Sequence, residues 1–403
     1  MQLNHQLHLT YCTNIHVSRD WDGLFANLRQ YVPPLKSQLS PDQPFGIGLR
    51  LSGAESRELL ERNRLSLFRD YLTKRGLYLF TLNGFSYGPF HRRVVKDKVH
   101  ACDWRKKARV RYTLRLIKIL ANLLPEGVEG SISTNPLSYK PWHGWEVEER
   151  TWELCTRHLV EVAAELVYLR EAQGKLIHLD IEPVVDGLIE NSRDLVQFYQ
   201  EWLLPIGAPL LAQKLEISTE EAESHLLEHI RVCWDTSHMA LGYERPEKVL
   251  ARFNAYGIKV GKMQISSAIK LFLPDDTTKR AALAETLRPF AESTHLHQVM
   301  QRNKNGTIRQ YRDLDLALSE IQDRAATEWR IHYHLPVFIE GFANAATTQN
   351  HIVQTLALLA KQPFTNHLEI ESYGWDLLPA NLKRPLGESI QREFDWVLRE
   401  LSQ

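Results

Sequence analysis

Thiols are scarce in this chain: there are four cysteines, Cys12, Cys102, Cys155 and Cys233, and no two of them form a CxxC pair. That excludes a thiolate zinc cluster and a disulfide framework, and it fits reduced thiols in a cytoplasmic protein. A surplus of either charge is also missing, since 49 basic side chains balance 49 acidic ones. Nothing in that balance asks for nucleic acid as a partner. The longest apolar-rich tracts, such as Ile352–Ala360, fall far short of a membrane span. The opening MQLNHQLHLTYC has no basic region leading into an apolar stretch, so no signal peptide is expected. Repeats, low-complexity tracts and Pro-, Gly- or Ser-rich linkers are lacking too. One elaborated domain over residues 1–403 is therefore expected rather than two.

What the chain does have is alternation. Strand-like runs recur at Leu7–His16, Phe45–Ser52, Leu77–Gly84, Gly127–Asn135, Leu176–Pro183, Ile230–His238, Ile258–Ser266, Trp329–Pro336 and Leu368–Tyr373. Between them lie helix-like stretches: Ser56–Arg75, Lys107–Leu124, Val147–Ala172, Ser192–Leu203, Glu220–His229, Pro246–Tyr256, Arg280–Ala291 and Thr347–Lys361. Ser218 with Glu221 fits a capping box and Pro246 a first helical turn, while Gly76, Gly174 and Gly257 suit helix ends. Such alternation predicts a parallel sheet, here a (β/α)8 TIM barrel with elaborated βα loops. Eight strands close a barrel, so one of the nine is extra. The stretch 268–328 breaks the rhythm and reads as an insertion carrying a β-hairpin around Asn305-Gly306, with Trp329–Pro336 added or displaced beside it. The polar and aromatic segments His91–Arg105 and Pro136–Glu146 read as loops at the C-terminal ends of strands.

The strands themselves are unusual. A parallel strand covered on both faces normally reads as a continuous apolar run. Here Ile177, Leu179 and Ile181 alternate with His178, Asp180 and Glu182; Ile230, Val232 and Trp234 with Arg231, Cys233 and Asp235; Leu368 and Ile370 with Glu369 and Glu371. With the apolar set facing the helices, the polar set faces the barrel interior. Charges there are tolerable only if they pair, hold a metal or line a solvated pocket. An antiparallel sandwich with one solvated face is the plainer alternative for such alternation, opposed by the helical segments between strands.

Several strand ends supply candidate ligands: Glu182 in HLDIEP, Asp235 and His238 in CWDTSH, Gln264 in KMQISS and Glu371 in LEIESY. Carboxylates with an amide or imidazole suit Mn²⁺, Mg²⁺, Co²⁺ or Zn²⁺. Taken singly each has an ordinary reading: Asp235 as a helix N-cap, Glu182 as a loop carboxylate, His238 as a satisfied core or surface histidine.

The succession IEP, DxxH, KxQ and IE at strand ends resembles the xylose isomerase-like barrels of sugar isomerases, epimerases and endonuclease IV relatives. More closely, LTYCTNIH, PFGIGLRLS, FTLNGFSYGPFH, GSIST, DTSH, GKMQISSA, RIHYHLP and LEIESYGWD, in that order between about Leu9 and Trp396, resemble the EboE-type metabolite traffic proteins. Those are encoded beside a prenyltransferase-like protein and linked to handling of secondary-metabolite precursors. The resemblance implies a small polar metabolite as ligand and other proteins of the same gene cluster as partners. It implies Glu182 as first ligand and acid/base, Asp235 as second ligand, Glu371 as last ligand and second acid/base, and His238 as a substrate contact. Gln264 stands where many relatives place a histidine ligand, a departure that His297, His332 or His334 could make good.

The chemistry implied is metal-assisted proton transfer beside a carbonyl, with Glu182 and Glu371 exchanging the proton. Arg50, Lys262 and the histidines would orient substrate, and Trp142, Trp145, Phe90 and Tyr87 would offer an apolar wall. Two rivals stay open: a metal-dependent hydrolase drawing on His16, His91, His332 and His334, and a non-catalytic carrier, favoured by Gln264.

Overall fold

The computed structural model describes residues 1–403 apart from 4–5, 90–94, 145, 292–293, 343, 376–377, 379, 381 and 403. Eight strands lie parallel in one sheet: β1 (His8–Tyr11), β2 (Phe45–Arg50), β3 (Leu77–Asn83), β4 (Gly130–Thr134), β5 (Ile177–Ile181), β6 (Ile230–Asp235), β7 (Val260–Ile265) and, last in the chain, β14 (His367–Ile370). Each pairs with its neighbour in the order β1-β14-β7-β6-β5-β4-β3-β2, and a parallel bridge from Cys12 to Gly48 brings the two ends together. This is the expected TIM barrel, and its parallel pairing removes the antiparallel sandwich.

The strands form where the sequence alternates because both of their faces are covered. Ile177, Leu179, Ile181, Ile230, Val232, Trp234, Leu368 and Ile370 join the apolar layer under the helices. The alternate residues meet inside the ring. Ser131 Oγ donates to Asp180 Oδ2 at 2.6 Å, and His178 Nδ1 lies 2.6 Å from Asp180 Oδ1. Lys262 Nζ donates to Glu369 Oε2 at 2.7 Å with both side chains wholly buried. An interior of this kind is held by mutual pairing, since a lone buried charge would cost several kcal/mol.

The expected punctuation is present. Ser218 and Glu221 close a capping box, Pro246 opens its helix, and Gly76 and Gly174 end theirs in the left-handed conformation. All four cysteines are free. Among the described residues no helix is long and apolar enough to cross a membrane.

Between β7 and β14 the chain builds a second sheet of six strands: β8 (Ser267–Phe272), β9 (Val299–Asn303), β10 (Ile308–Tyr311), β11 (Ala326–Leu335), β12 (Gly341–Phe342) and β13 (Ala345–Thr347). Its pairings are antiparallel, and β9 and β10 form the expected hairpin, turned by Gly306 at φ +83°. The run read as Trp329–Pro336 is β11, so this is the ninth strand that stands outside the barrel. A separate apolar core that includes Ile269, Leu283, Val299, Trp329 and Ile331 supports the sheet. It leans on the helix Thr236–Leu241 that follows β6, where Ser237 Oγ donates to Tyr333 O at 3.3 Å and Arg330 Nη1 to Ala240 O at 2.5 Å. In that position β11 overhangs the C-terminal mouth of the barrel.

Candidate metal centre at the barrel mouth

Three carboxylates from separate strand ends meet at the mouth. Asp235 closes β6 and also caps the helix behind it. Its Oδ1 accepts from Ser237 N at 2.7 Å, His238 N at 3.1 Å and Ser266 Oγ at 2.8 Å. Its other oxygen, Oδ2, has no hydrogen-bond partner among the described residues. The N-cap reading and the ligand reading therefore hold together, one oxygen to each. Glu371, just past β14, is anchored in a similar way: Asn14 Nδ2 and Asn83 Nδ2 donate to its Oε1 at 2.7 and 3.0 Å. Glu182, just past β5, keeps Oε1 3.5 Å from His238 Nδ1, while Oε2 has no partner among the described residues. All three side chains are buried.

Crowding acids in this way moves their protonation. Burial, then the charges of Glu371 and Asp235, pushes the Glu182 carboxyl well above its ordinary range. Burial, then Asp235 and Glu369, does the same to Glu371. Burial works against Asp235 as well, yet His238 and His334 opposite and the donors on Oδ1 hold it below its usual value.

Imidazoles complete the mouth. His238 comes from the helix after β6, and His332 and His334 hang from β11. His332 Nε2 lies 3.2 Å from His238 Nε2 and 3.2 Å from His334 Nε2. His334 Nδ1 is 3.9 Å from Asp235 Oδ2 and 4.0 Å from Glu371 Oε2. Three sets whose ligand atoms lie within 4.8 Å of one another result: Glu182, Asp235 and His238; Asp235, His334 and Glu371; His238, His332 and His334. A pocket at the mouth is walled by Glu182, Glu371, His238, His332 and His334, with Asn14, Arg50, Asn83, Phe85, Gln298 and Tyr373 also on its walls and Asp235 and Gln264 off them.

The remaining sequence candidates are distributed as follows. Arg50 reaches the pocket wall, where it pairs with Glu55 at 3.4 Å. Gln264 stands in register with Asp235, and its Oε1 accepts from Cys233 Sγ at 2.8 Å while Nε2 has no partner among the described residues. Lys262 lies on the same strand, bound to Glu369, and is not among the pocket's lining residues. His297 is not brought to the mouth either. Its ring stacks on Tyr333 at 4.1 Å, the residue that alternates to the other face of β11 from His332 and His334. His16 stacks on Tyr31, Trp142 binds Asp97, and Tyr87 packs on Tyr112. Phe90, His91 and Trp145 lie outside the described residues. The aromatic walls are Phe85 and Tyr373, the latter stacked on His334 at 4.7 Å. Asn83 closes β3, and Asn14 lies in the turn Thr13–Ile15 that follows β1. Gln298, which accepts from His332 Nδ1 at 2.7 Å, carries no local signal because it lies in the insertion.

This assembly, a closed parallel barrel with acids at its C-terminal mouth, has the fold of the xylose isomerase-like TIM barrels. A xylose isomerase-like TIM barrel protein from Mycobacterium smegmatis, solved in complex with magnesium, superposes with a TM-score of 0.50 at 12% identity, over 100% of this chain and 99% of that one. A D-tagatose 3-epimerase-like protein gives 0.49 at 10% identity over 98% of both chains, and the IolI protein with a bound zinc atom 0.44 at 13% over 98% of both. No protein-family profile matches the chain, and no curated protein does.

Proposed function

We propose that this protein binds a divalent cation at Glu182, Asp235, Gln264 and Glu371 and acts on a small polar metabolite by proton transfer between Glu182 and Glu371, in the manner of sugar epimerases. The reading is carried by one observation: buried carboxylates from separate strands turn oxygens without hydrogen-bond partners toward a common space. Among relatives in fold, the Mycobacterium smegmatis protein is described in complex with magnesium, which accords with it. Turning the Gln264 amide over would let Nε2 donate to Cys233 Sγ and give its oxygen to the centre. A hard cation suits four oxygens, and when bound it supplies positive charge for oxyanion character developing on substrate.

The chain's own part is to hold and move the proton. Glu182 just past β5 and Glu371 just past β14 both line the pocket, one taking a proton from the carbon beside a carbonyl and the other returning one. Asn14 and Asn83 fix Glu371, and Arg50 with His238 orients hydroxyl or phosphate oxygens. On the EboE-type resemblance the ligand would be a secondary-metabolite precursor and the partners other proteins of the same gene cluster, and the free cysteines accord with a cytoplasmic setting.

The test is exchange. Manganese-loaded protein incubated in deuterated water with a panel of ketoses and ketose phosphates is expected to place deuterium on the carbon beside the carbonyl, read by proton NMR. Glu182→Gln and Glu371→Gln should each lose the exchange by about 10²-fold or more. Bound ligand without exchange in the wild type would leave the carrier reading in its place.

A further inference from the structure

The imidazoles over the carboxylates present a problem in protons. His332 Nδ1 faces Gln298 Oε1 at 2.7 Å, and Gln298 is oriented by its own Nε2, which donates to Val185 O at 3.4 Å. His334 Nδ1 faces the carbonyl of Glu371 at 3.2 Å. Both oxygens only accept, so both Nδ1 atoms carry the hydrogen and both Nε2 atoms are bare lone pairs. Those lone pairs point at each other across 3.2 Å, and His238 Nε2 approaches the same His332 atom at 3.2 Å. Four contacts therefore each require a proton, and three neutral imidazoles have three between them. His238 is already drawn on from its other side by Glu182 Oε1, 3.5 Å from Nδ1. An additional proton is disfavoured by the surroundings: burial lowers the proton affinity of all three rings, and neighbouring histidines lower His332 further.

We propose that His238, His332 and His334 form a second cation site, for a borderline metal such as Zn²⁺ or Co²⁺, with two of its three ligands delivered by the inserted sheet. The arrangement has the features of a ligating triad. An acceptor behind two of the rings fixes which nitrogen is bare, Gln298 for His332 and the Glu371 carbonyl for His334, and Glu182 Oε1 lies 3.5 Å behind the third, His238. Three neutral imidazoles with no thiolate leave a coordination position open, and the open side is the pocket shared with Arg50, Asn83 and Tyr373. The ligand atoms are three Nε2 nitrogens, whereas the centre proposed above uses oxygens. The two sets approach through the Nδ1 atoms of His238, 3.5 Å from Glu182, and of His334, 3.9 Å from Asp235 and 4.0 Å from Glu371. The inference thus shares a mouth with the proposed function without depending on a cation at the carboxylates.

The experiment is a metal count on the full chain. Protein stripped with chelator and titrated with Co²⁺ is expected to take up about two ions, one of them giving the visible absorption of a nitrogen-rich site. His332→Gln should remove that ion and its absorption, and Glu182→Gln should remove the other. A wild type holding a single ion that His332→Gln leaves in place overturns the histidine site and spares the carboxylate centre. A single ion lost in His332→Gln and kept in Glu182→Gln supports the histidine site and overturns the carboxylate centre. Because His332→Gln could disturb folding, Gln298→Leu is the second variant. It keeps all three imidazoles, and with an unchanged circular dichroism spectrum it should weaken Co²⁺ binding at the absorbing site by about 10- to 100-fold. Unchanged affinity in that variant, together with unchanged stoichiometry in His332→Gln, rejects the proposal.

Discussion

At the scale of single residues, burial fixes the charge state of Glu393. It sits in the helix Leu386–Leu401, where Oε1 accepts from Val337 N at 3.1 Å and Oε2 from Ser372 Oγ at 2.7 Å. Burial outweighs both bonds and pushes its carboxyl up to about 8. In the unfolded chain the same group loses its proton near the ordinary 4.5. Across that interval the folded state keeps a proton that the unfolded state has released, so this residue's contribution to stability falls as pH rises and levels off above about 8. Each tenfold change in proton affinity is worth about 1.4 kcal/mol. Glu393→Gln is therefore expected to match the wild type near about pH 5 and to exceed it by several kcal/mol near about pH 9, measured as denaturation midpoints at both values. A gap that is the same at both would show the carboxyl to be ionised in the fold. Nothing in the local sequence marks Glu393 this way, because its environment is made by Val337 and Ser372, which are distant in the chain. Asp235 is the opposite case. Both of its readings were visible in CWDTSH, and only the geometry shows that one side chain does both.

At the scale of elements, β2 runs close to β1 and β14 because it carries glycine where the neighbours need room. A Cβ built on Gly48 would lie 2.2 Å from Glu369 Oε1 and 2.7 Å from the carbonyl of Tyr11. The first is the acid bound to Lys262, and the second is backbone, so neither yields easily. Gly48→Ala is expected to destabilise the protein by about 1–3 kcal/mol from overpacking alone. The control is Gly387→Ala, in a helix with nothing within 4 Å of the new Cβ, which should be neutral or slightly stabilising. Urea unfolding of the two variants separates these outcomes. The barrel strands were legible because their period of two persisted through a parallel sheet, the polar set being held inside. Helix boundaries were less so. Ser56–Arg75 is two helices, Gly53–Leu59 and Arg64–Arg75, parted at a turn where Arg62 takes φ +53°. The stretch from Ser192 runs on to Leu215 because wide turns over Tyr199–Gly207 absorb Pro205, which lacks an N–H to give. Pro33 and Pro34 likewise lie within the helix Trp21–Leu39, which no run of sequence signals announced.

At the scale of the molecule, the barrel and the inserted sheet have separate apolar cores, and the polar mouth is where they meet. Hydrogen bonds cross there at several points, among them Ser237 to Tyr333, Arg330 to Ala240, Gln298 to Val185, Gln310 to Asp186, Tyr243 to Met300, and the Gly374 and Tyr373 amides to His334 O at 3.0 and 3.2 Å. A cation held by His238 from the barrel side and by His332 and His334 from the sheet would be a further link between the two cores. Binding to the folded state alone adds about 2.7 kcal/mol when free metal exceeds its dissociation constant about 100-fold. That energy opposes any opening that parts the sheet from the barrel, and it leaves fluctuations within β4, β5 and β6 untouched. In Glu182→Gln protein, which would keep the histidine ion and lack the one at the carboxylates, chelation is therefore expected to speed hydrogen exchange in β8, β9 and β11 well before it changes β4, β5 and β6, as read by mass spectrometry of peptides from each region. Equal acceleration in both regions would mean that the metal stabilises the chain as one unit. Acceleration confined to the barrel would mean that the histidines of β11 hold no ion and that the sheet is fastened by its crossing hydrogen bonds and packing.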